Sequence, residues 1–272
     1  MKRKSDAFNT IVSILLVIIV IFPIIYCFCT SFKDHSELSS PTLFPESFLN
    51  FDNYVDAFRK APLLRYMLNS LIVAVLGTAL RLLVSIPAAY VFAFFDFKGK
   101  DFLFFLILGT MMMPGDILLV TNYVTVSRLG LLNSYIGICI VSLVSASEIF
   151  MLRQSFMSIP RSIIYASRID GCSDLFCLAK IVCPYSRSTI TVLAMQSFIA
   201  LWNSYLWPLI VTASSPDMRT IMVGITKLNS WEDTNYELVM AGVSVSLVVS
   251  IVLFIVMRVR MYTKGVDSMQ AA

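Results

Sequence analysis

Long apolar stretches separated by polar segments dominate this sequence. Six of them cover residues 11–29, 67–95, 102–120, 135–157, 189–211 and 238–257. An α-helix of about 20 apolar residues crosses the roughly 30 Å of hydrocarbon in a bilayer, and each stretch has about that length. The pattern therefore predicts an all-α, polytopic membrane protein with six transmembrane helices, in which residues 1–272 form a single transmembrane domain.

Two of the polar segments are long. In the first, residues 31–66, apolar residues at positions 51, 54, 55 and 58 have helical spacing. We expect a short amphipathic helix that lies against the ends of the spans; a docking surface for an external partner is the alternative. The second segment, residues 158–187, carries turn and capping residues that indicate a structured loop.

Composition narrows the range of functions. Apolar residues make up 58% of the chain and charged residues 14%, whereas about a quarter of the residues of a soluble domain are charged. The single histidine, His35, and six cysteines without a C-x-x-C pair exclude a clustered metal or redox motif. Because phosphate-binding glycine motifs are also absent, we expect no cofactor, no metal site and no catalytic residue in this chain.

The distribution of positive charge predicts the orientation in the membrane. If both termini are cytoplasmic, most of the 21 lysines and arginines fall in cytoplasmic segments, as the positive-inside rule requires. The excess of positive charge, +4 in total, then lies at the inner membrane face, where anionic lipids attract it. The net charge therefore does not indicate a nucleic-acid partner. The sequence thus predicts a multi-pass protein with cytoplasmic N- and C-termini.

Residues 158–187, which then lie in the cytoplasm, are predicted to form two short helices that meet at a glycine. Pro160 is typical of a helix start, and Gly171 suits a chain reversal with positive φ. Ser173 or Asp174 can cap a second helix, which we expect to end before Pro184. Exposed apolar side chains on these helices would favour a partner-binding surface, and the candidates are Ile163, Ile164, Leu175 and Phe176.

This loop resembles the coupling loop of a known family. The segments Tyr165-Ala166-Ser167, Gly171 and Ile181-Val182-Cys183-Pro184 are similar to the pattern E-A-A-x-x-x-G followed by I-x-L-P. That pattern is typical of the membrane subunits of bacterial ABC importers in the carbohydrate-uptake branch, of the maltose and glycerol-phosphate type. The resemblance extends over nearly the whole chain and includes Trp202-Asn203-Ser204-Tyr205-Leu206-Trp207-Pro208.

The resemblance implies that the loop forms a coupling helix in a cleft of an ATPase subunit. The family's glutamate is replaced by Tyr165, its second alanine by Ser167 and its leucine by Cys183. We therefore expect Asp170, Asp174 or Arg168 to supply polar contacts in place of the glutamate. The residues assigned to ATPase coupling on this basis are Tyr165, Ala166, Arg168, Asp170, Gly171, Asp174 and Pro184.

The resemblance also implies a complete importer. This chain would be one of two non-identical permease subunits in the bacterial inner membrane. It would work with two ATP-binding-cassette ATPase subunits and an extracytoplasmic solute-binding protein, and would itself be no enzyme. The solute would be a sugar, an oligosaccharide or a glycerol-phosphate-type molecule, and these alternatives stay open.

Polar residues within the spans are candidates for the solute path. Arg81 and Glu148 are ionisable residues inside apolar stretches, where a charge is costly and commonly has a function. They are expected either to pair with each other and fix helix packing, or to face a water-filled cavity and contact solute. Trp202, Asn203 and Tyr205 combine aromatic faces with an amide and a hydroxyl, as sugar binding requires, although aromatic residues also gather at membrane interfaces.

A secondary carrier driven by an ion gradient is the alternative function. Such carriers commonly contain internal repeats with interrupted helices in matching positions. The sequence has no recognisable repeat. Glu148 is the acidic residue inside a predicted span, since Asp116, near the end of the third stretch, is assigned to the outer side. An ATP-driven importer subunit is therefore favoured.

Overall fold

The computed structural model describes residues 2–39, 42–229 and 235–269, and every regular element in these ranges is a helix. The predicted all-α class is therefore confirmed for the described residues. The α-helices, in chain order, are α1 (Lys2–Ser31), α2 (Asp52–Lys60), α3 (Leu63–Phe94), α4 (Lys100–Thr110), α5 (Leu119–Arg128), α6 (Tyr135–Ile140), α7 (Ala146–Met157), α8 (Arg161–Ile169), α9 (Asp174–Cys177), α10 (Cys183–Tyr185), α11 (Arg187–Trp202), α12 (Leu206–Val211), α13 (Ile221–Thr226) and α14 (Tyr236–Met269).

Two of the described helices are long and apolar enough to cross a membrane by themselves. They are residues Asn9–Ser31 of α1 and the whole of α3. A third candidate combines α4 with the helical segment Gly115–Arg128, and these two pieces are bent by 90° relative to each other. Residues Tyr236–Val252 of α14 form a shorter apolar helix.

The predicted fourth and fifth spans are each divided into two helices. The fourth consists of α6 and α7, which are separated by residues 141–145, and the fifth consists of α11 and α12, which are separated by residues 203–205. Ser134 and Ser145 explain where α6 and α7 begin, because each hydroxyl accepts a hydrogen bond from a backbone N–H three residues later. These breaks leave backbone groups that need partners outside the helices.

The chain divides into two compact units. One comprises Met1–Met67 with Ile221–Val252, and the other comprises Leu68–Thr220 with Leu253–Ala272. Two of the three boundaries lie within α3 and α14, so each of these helices contributes residues to both units.

In the first unit, α2 packs against the C-terminal end of α1. The Asn53 side-chain amide donates hydrogen bonds to the carbonyls of Ser31 (3.0 Å) and Lys33 (2.8 Å), and the Tyr54 hydroxyl lies 2.7 Å from that of Ser31. The end of a helix leaves carbonyls without intrahelical partners, and Asn53 satisfies this need. The predicted short helix around position 51–58 is thus confirmed.

The same unit joins α1 to the first half of α14. The Cys27 thiol lies 3.5 Å from the Ser244 hydroxyl, and His35 Nδ1 lies 3.1 Å from Glu237 Oε1. Upstream of Cys27, the side chains of residues 9–23 of α1 are exposed. An apolar helix face of this extent is typical of a surface that meets lipid or another membrane helix.

The second unit has an apolar core that supports the loop after α7. Leu152 and Phe156 of α7 are fully buried, and Phe92 and Ala93 of α3 pack in the same cluster. The Arg153 guanidinium donates to the Phe92 carbonyl (3.0 Å) and lies 4.2 Å from the Phe104 ring centroid, which ties α7 to α3 and α4. This end of the unit is the platform on which the loop rests.

Candidate functional site

The loop between α7 and α11 turns at Gly171. Helix α8 starts after Pro160 and ends at Ile169, and Gly171 follows with φ of +76°. The Cys172 N–H bonds to the Ser167 carbonyl (3.0 Å) and the Gly171 N–H to the Arg168 carbonyl (3.1 Å). These two bonds define a Schellman motif with glycine in the left-handed position. The predicted reversal at Gly171 is confirmed.

Ser173 starts the second helix of the loop. Its hydroxyl accepts a hydrogen bond from the Phe176 N–H (3.3 Å), as an N-cap does. The chain then stays helical through a π-turn at Leu178–Val182 and through α10, which contains Pro184. The prediction that the helix ends before Pro184 is wrong, because the wider π-turn precedes the proline and relieves its clash with the preceding turn.

One face of the loop is buried in the platform. Ile164, Cys177 and Val182 are at most 3% exposed and belong to the core cluster that contains Leu152 and Phe156. The prediction that Ile164 is exposed is therefore wrong: α8 rests on α3 and α7, and Ile164 is on the side that they cover. Partial burial also raises the pKa of the Cys183 thiol above its usual value.

The opposite face of the loop is apolar and uncovered. Ile169 is 86% exposed, Leu175 77%, Tyr165 53% and Phe176 50%. Ala166, Asp170 and Gly171 are exposed as well. Exposed apolar side chains grouped around one turn are typical of a protein-binding surface. We call these side chains of Tyr165, Ile169, Leu175 and Phe176 the coupling face.

Arg168 and Asp174 interact with each other across the Gly171 turn. Arg168 Nη2 lies 3.8 Å from Asp174 Oδ1, and both side chains are about half exposed. The Tyr90 hydroxyl donates to the same carboxylate oxygen (3.4 Å), and the Arg168 guanidinium lies 5.7 Å from the Phe95 ring centroid. These contacts hold the two loop helices to each other and to the end of α3.

A groove separates α8 from the end of α3. Its volume is about 230 Å³, and Asp96, Arg161, Tyr165 and Arg168 are the polar residues that line it. The groove brings acidic and basic side chains together beside the coupling face.

A second polar cluster lies inside the predicted spans. Arg81 Nη1 is 3.4 Å from Glu148 Oε1, and their side chains are only 14% and 4% exposed. The Ser197 hydroxyl bonds to the Glu148 carboxylate and also accepts from Arg81 (3.3 Å). Of the two predicted alternatives, the structure has the one in which Arg81 and Glu148 pair with each other.

Arg81 also forms a hydrogen bond with the backbone in the break between α6 and α7. Its Nε donates to the carbonyl of Ser142 at 2.7 Å, within the non-helical segment 141–145. Glu148 lies in the first turn of α7, where a negative charge is favourable, and Ser145 caps that turn. The cluster thus connects α3, the break, α7 and α11 within the second unit.

The other three predicted path residues lie at or beyond the end of α11. Trp202 is 1% exposed and its ring is stacked 6.1 Å from that of Phe198. Asn203 is exposed directly after α11, and Tyr205 is 39% exposed before α12. Trp202 is therefore part of the packing, whereas Asn203 and Tyr205 are accessible.

Several polar residues of these sites were not singled out from the sequence. Ser142 and Ser197 are ordinary small residues in apolar stretches, so nothing in the pattern marks them. Asn69 had a signal, since it is an amide near the start of an apolar run. Its side chain donates to the carbonyls of Asp217 and Arg219 (2.8 Å each) and accepts from the Tyr135 hydroxyl (2.8 Å), which fixes the chain after α12 to α3.

Apolar helices of membrane-spanning length, together with a supported loop that exposes an apolar face, are typical of the permease class of transporters. The family described as the inner membrane component of binding-protein-dependent transport systems matches residues 4–260. The chain belongs to this family, whose members are permease subunits of ABC importers and not enzymes. The resemblance inferred from the loop is thereby confirmed.

Individual relatives match along nearly their whole lengths. The chain is 32% identical to an arabinooligosaccharides transport system permease protein of Halalkalibacterium halodurans, with 94% of each chain covered. It is 30% identical to an sn-glycerol-3-phosphate transport system permease protein of Brucella abortus, with 97% of this chain and 96% of the relative covered.

A solved structure has the same fold. It is the crystal structure of a bacterial ABC transporter involved in the import of the acidic polysaccharide alginate, and one of its chains matches with a TM-score of 0.82. The match covers 94% of this chain and 96% of that chain at 21% identity, so it concerns the fold alone.

Proposed function

We propose that this chain is the permease subunit of an ATP-driven importer for a carbohydrate or a glycerol-phosphate-type solute, which an extracytoplasmic binding protein delivers. The observation that carries the proposal is the match to oligosaccharide and glycerol-phosphate permeases over at least 94% of the chain. A second, non-identical permease and two ATPase subunits would complete the importer. The ion-gradient carrier is not favoured, because the family works with binding proteins.

The membrane topology that we propose has six spans in a single permease domain, with both termini in the cytoplasm. Helices α1, α3 and α14 would each supply one span, and the pairs α4–α5, α6–α7 and α11–α12 would supply the other three. The loop between α7 and α11 then lies in the cytoplasm together with Arg153, Arg161 and Arg168, in agreement with the positive-inside rule.

The coupling face would bind the ATPase subunit. Among the residues assigned to coupling, Tyr165, Ala166, Asp170 and Gly171 are exposed where a partner can reach them. Arg168 and Asp174 are engaged with each other, and their role would be to hold the shape of the loop. Pro184 would act at its far end, where the chain enters α11. An uncharged, aromatic Tyr165 in place of a glutamate favours an ATPase cleft lined by apolar side chains.

The solute path would pass Asn203 and Tyr205. Both are accessible, and an amide beside an aromatic ring is suited to the hydroxyls and C–H faces of a sugar. Arg81, Glu148 and Trp202, the other predicted path residues, are all engaged with other protein groups in this conformation. Contact between solute and any of these three residues would require those interactions to open.

Reconstitution tests this proposal. The permease pair, the ATPase and the binding protein would be assembled in proteoliposomes and supplied with labelled arabinooligosaccharides or sn-glycerol 3-phosphate. We expect uptake that requires ATP and the binding protein, together with ATP hydrolysis that the loaded binding protein stimulates. Uptake that continues without ATP and stops when an ion gradient is collapsed would reject the importer.

A further inference from the structure

Helices α7 and α11 are hydrogen-bonded to each other at two levels. Near the start of α7, Glu148 bonds to Ser197 of α11, and further along, the Ser155 hydroxyl donates to that of Thr189 (3.0 Å). The two bonds are separated by about two helical turns along each helix. Since the coupling loop leaves α7 and returns into α11, movement of the loop reaches both helices at once.

Arg81 attaches this helix pair to α3. The same guanidinium bonds to Glu148 on α7, to Ser197 on α11 and to the Ser142 carbonyl in the break before α7. A carbonyl in a broken span has no water to accept from if it lies in the hydrocarbon, so a side-chain donor there has a large stabilising effect. Arg81 thus supplies the donor that the break requires and joins three elements at one point.

We propose that Arg81 is a positioning residue that fixes the start of α7 and the facing part of α11 to α3, so that movement of the coupling loop pivots the helix pair at this point. The proposal rests on the importer function proposed above. In this role Glu148 and Ser197 are the attachment points of the two moving helices, and none of the three residues contacts solute.

The burial of the cluster supports this role over solute binding. Arg81 and Glu148 are 14% and 4% exposed, and a solute anion would have to displace the carboxylate from the guanidinium. Separating such a pair leaves an uncompensated buried charge, which is strongly unfavourable. The Arg81–Glu148 ion pair is therefore suited to connecting α3 and α7 permanently.

The first test removes the attachment on α11 without leaving a charge unpaired. Ser197→Ala deletes one hydroxyl, and Thr78→Val is the matched control, since the Thr78 hydroxyl on α3 is buried and has no hydrogen-bond partner among the residues that the structure describes. We expect Ser197→Ala to assemble normally and to lower uptake per ATP hydrolysed by about fivefold, a fold-change that corresponds to about 1 kcal/mol. In the Thr78→Val control, uptake per ATP hydrolysed should equal that of the unsubstituted complex.

The second test concerns the charges. Arg81→Gln and Glu148→Gln singly should reduce the yield of assembled complex, and the double variant should recover it because no charge is left unpaired. We expect the double variant to hydrolyse ATP while its uptake per ATP falls at least as far as that of Ser197→Ala.

Two results would overturn the positioning role. One is an unchanged ratio of uptake to hydrolysis in both Ser197→Ala and the double variant. The other is an unchanged ratio with a raised KM for the solute in the double variant, which would assign Arg81 to solute binding. Failure of the importer proposal is distinguished by the unsubstituted complex, which would then lack ATP-dependent uptake altogether.

Discussion

Gly171 has φ of +76°, and a Cβ atom added to it would meet no atom of the described part of the chain within 4 Å. Space therefore does not require glycine at this position; the backbone conformation does. A residue with a Cβ pays roughly 1–2 kcal/mol in the left-handed region, and asparagine tolerates it better than alanine does. The turn that separates α8 from α9 depends on this one residue.

We expect Gly171→Ala to lower stability by roughly 1–2 kcal/mol and to reduce uptake per ATP hydrolysed, whereas Gly171→Asn should have a smaller effect on both. Gly130→Ala is the control, because Gly130 also has a positive φ (+68°) and open space around it but lies outside the loop. Thermal unfolding and reconstituted uptake measure the two quantities. Equal effects of Gly171→Ala and Gly130→Ala on the uptake ratio would contradict a coupling role for the turn.

At the scale of elements, α8 and α9 divide their side chains between two faces. Ile164 and Cys177 are buried in the platform, while Ile169 and Leu175 are exposed at the turn. The exposed apolar side chains contribute little to the stability of this chain, because folding does not remove them from water. Their burial must occur, if at all, against a partner.

Substitutions in the coupling face should weaken binding of the ATPase without changing the stability of the permease. We expect Ile169→Ser and Leu175→Ser to change the free energy of unfolding by no more than about 0.5 kcal/mol, as at other exposed sites, and to weaken retention of the ATPase. Leu49→Ser is a matched control, since Leu49 is 84% exposed in the other long polar segment. Co-purification of the ATPase with the permease measures the difference, and equal retention in all three variants would refute the assignment of the face.

At the scale of the whole molecule, topology decides which surfaces can meet which partners. The segment between α2 and the predicted first span would face the binding protein only if it is extracytoplasmic, and the coupling loop would face the ATPase only if it is cytoplasmic. Both conditions follow from one orientation, with the N-terminus in the cytoplasm. Labelling of two exposed positions on either side of α3 therefore tests this orientation.

Leu49 and Lys98 are both exposed and should lie on opposite sides of the membrane. In a cysteine-free background, we expect Leu49→Cys to react with a membrane-impermeant maleimide in intact spheroplasts. Lys98→Cys should react only after permeabilisation. The reverse pattern would invert the topology, and labelling of both before permeabilisation would rule out α3 as a span between them.

The sequence by itself determined the helical class, the family and the turn chemistry of the coupling loop, because apolar run length, glycine and capping residues act locally. Pro160, Gly171 and Ser173 have the roles that their types predict. Only the tertiary structure decided that Ile164 is buried, that the chain remains helical through Pro184, and that Arg81 joins Glu148, Ser197 and the break at 141–145. Burial and pairing depend on which helices pack together. Arg81 and its partners are 61 to 116 positions apart in the sequence, and no local pattern predicts that they meet.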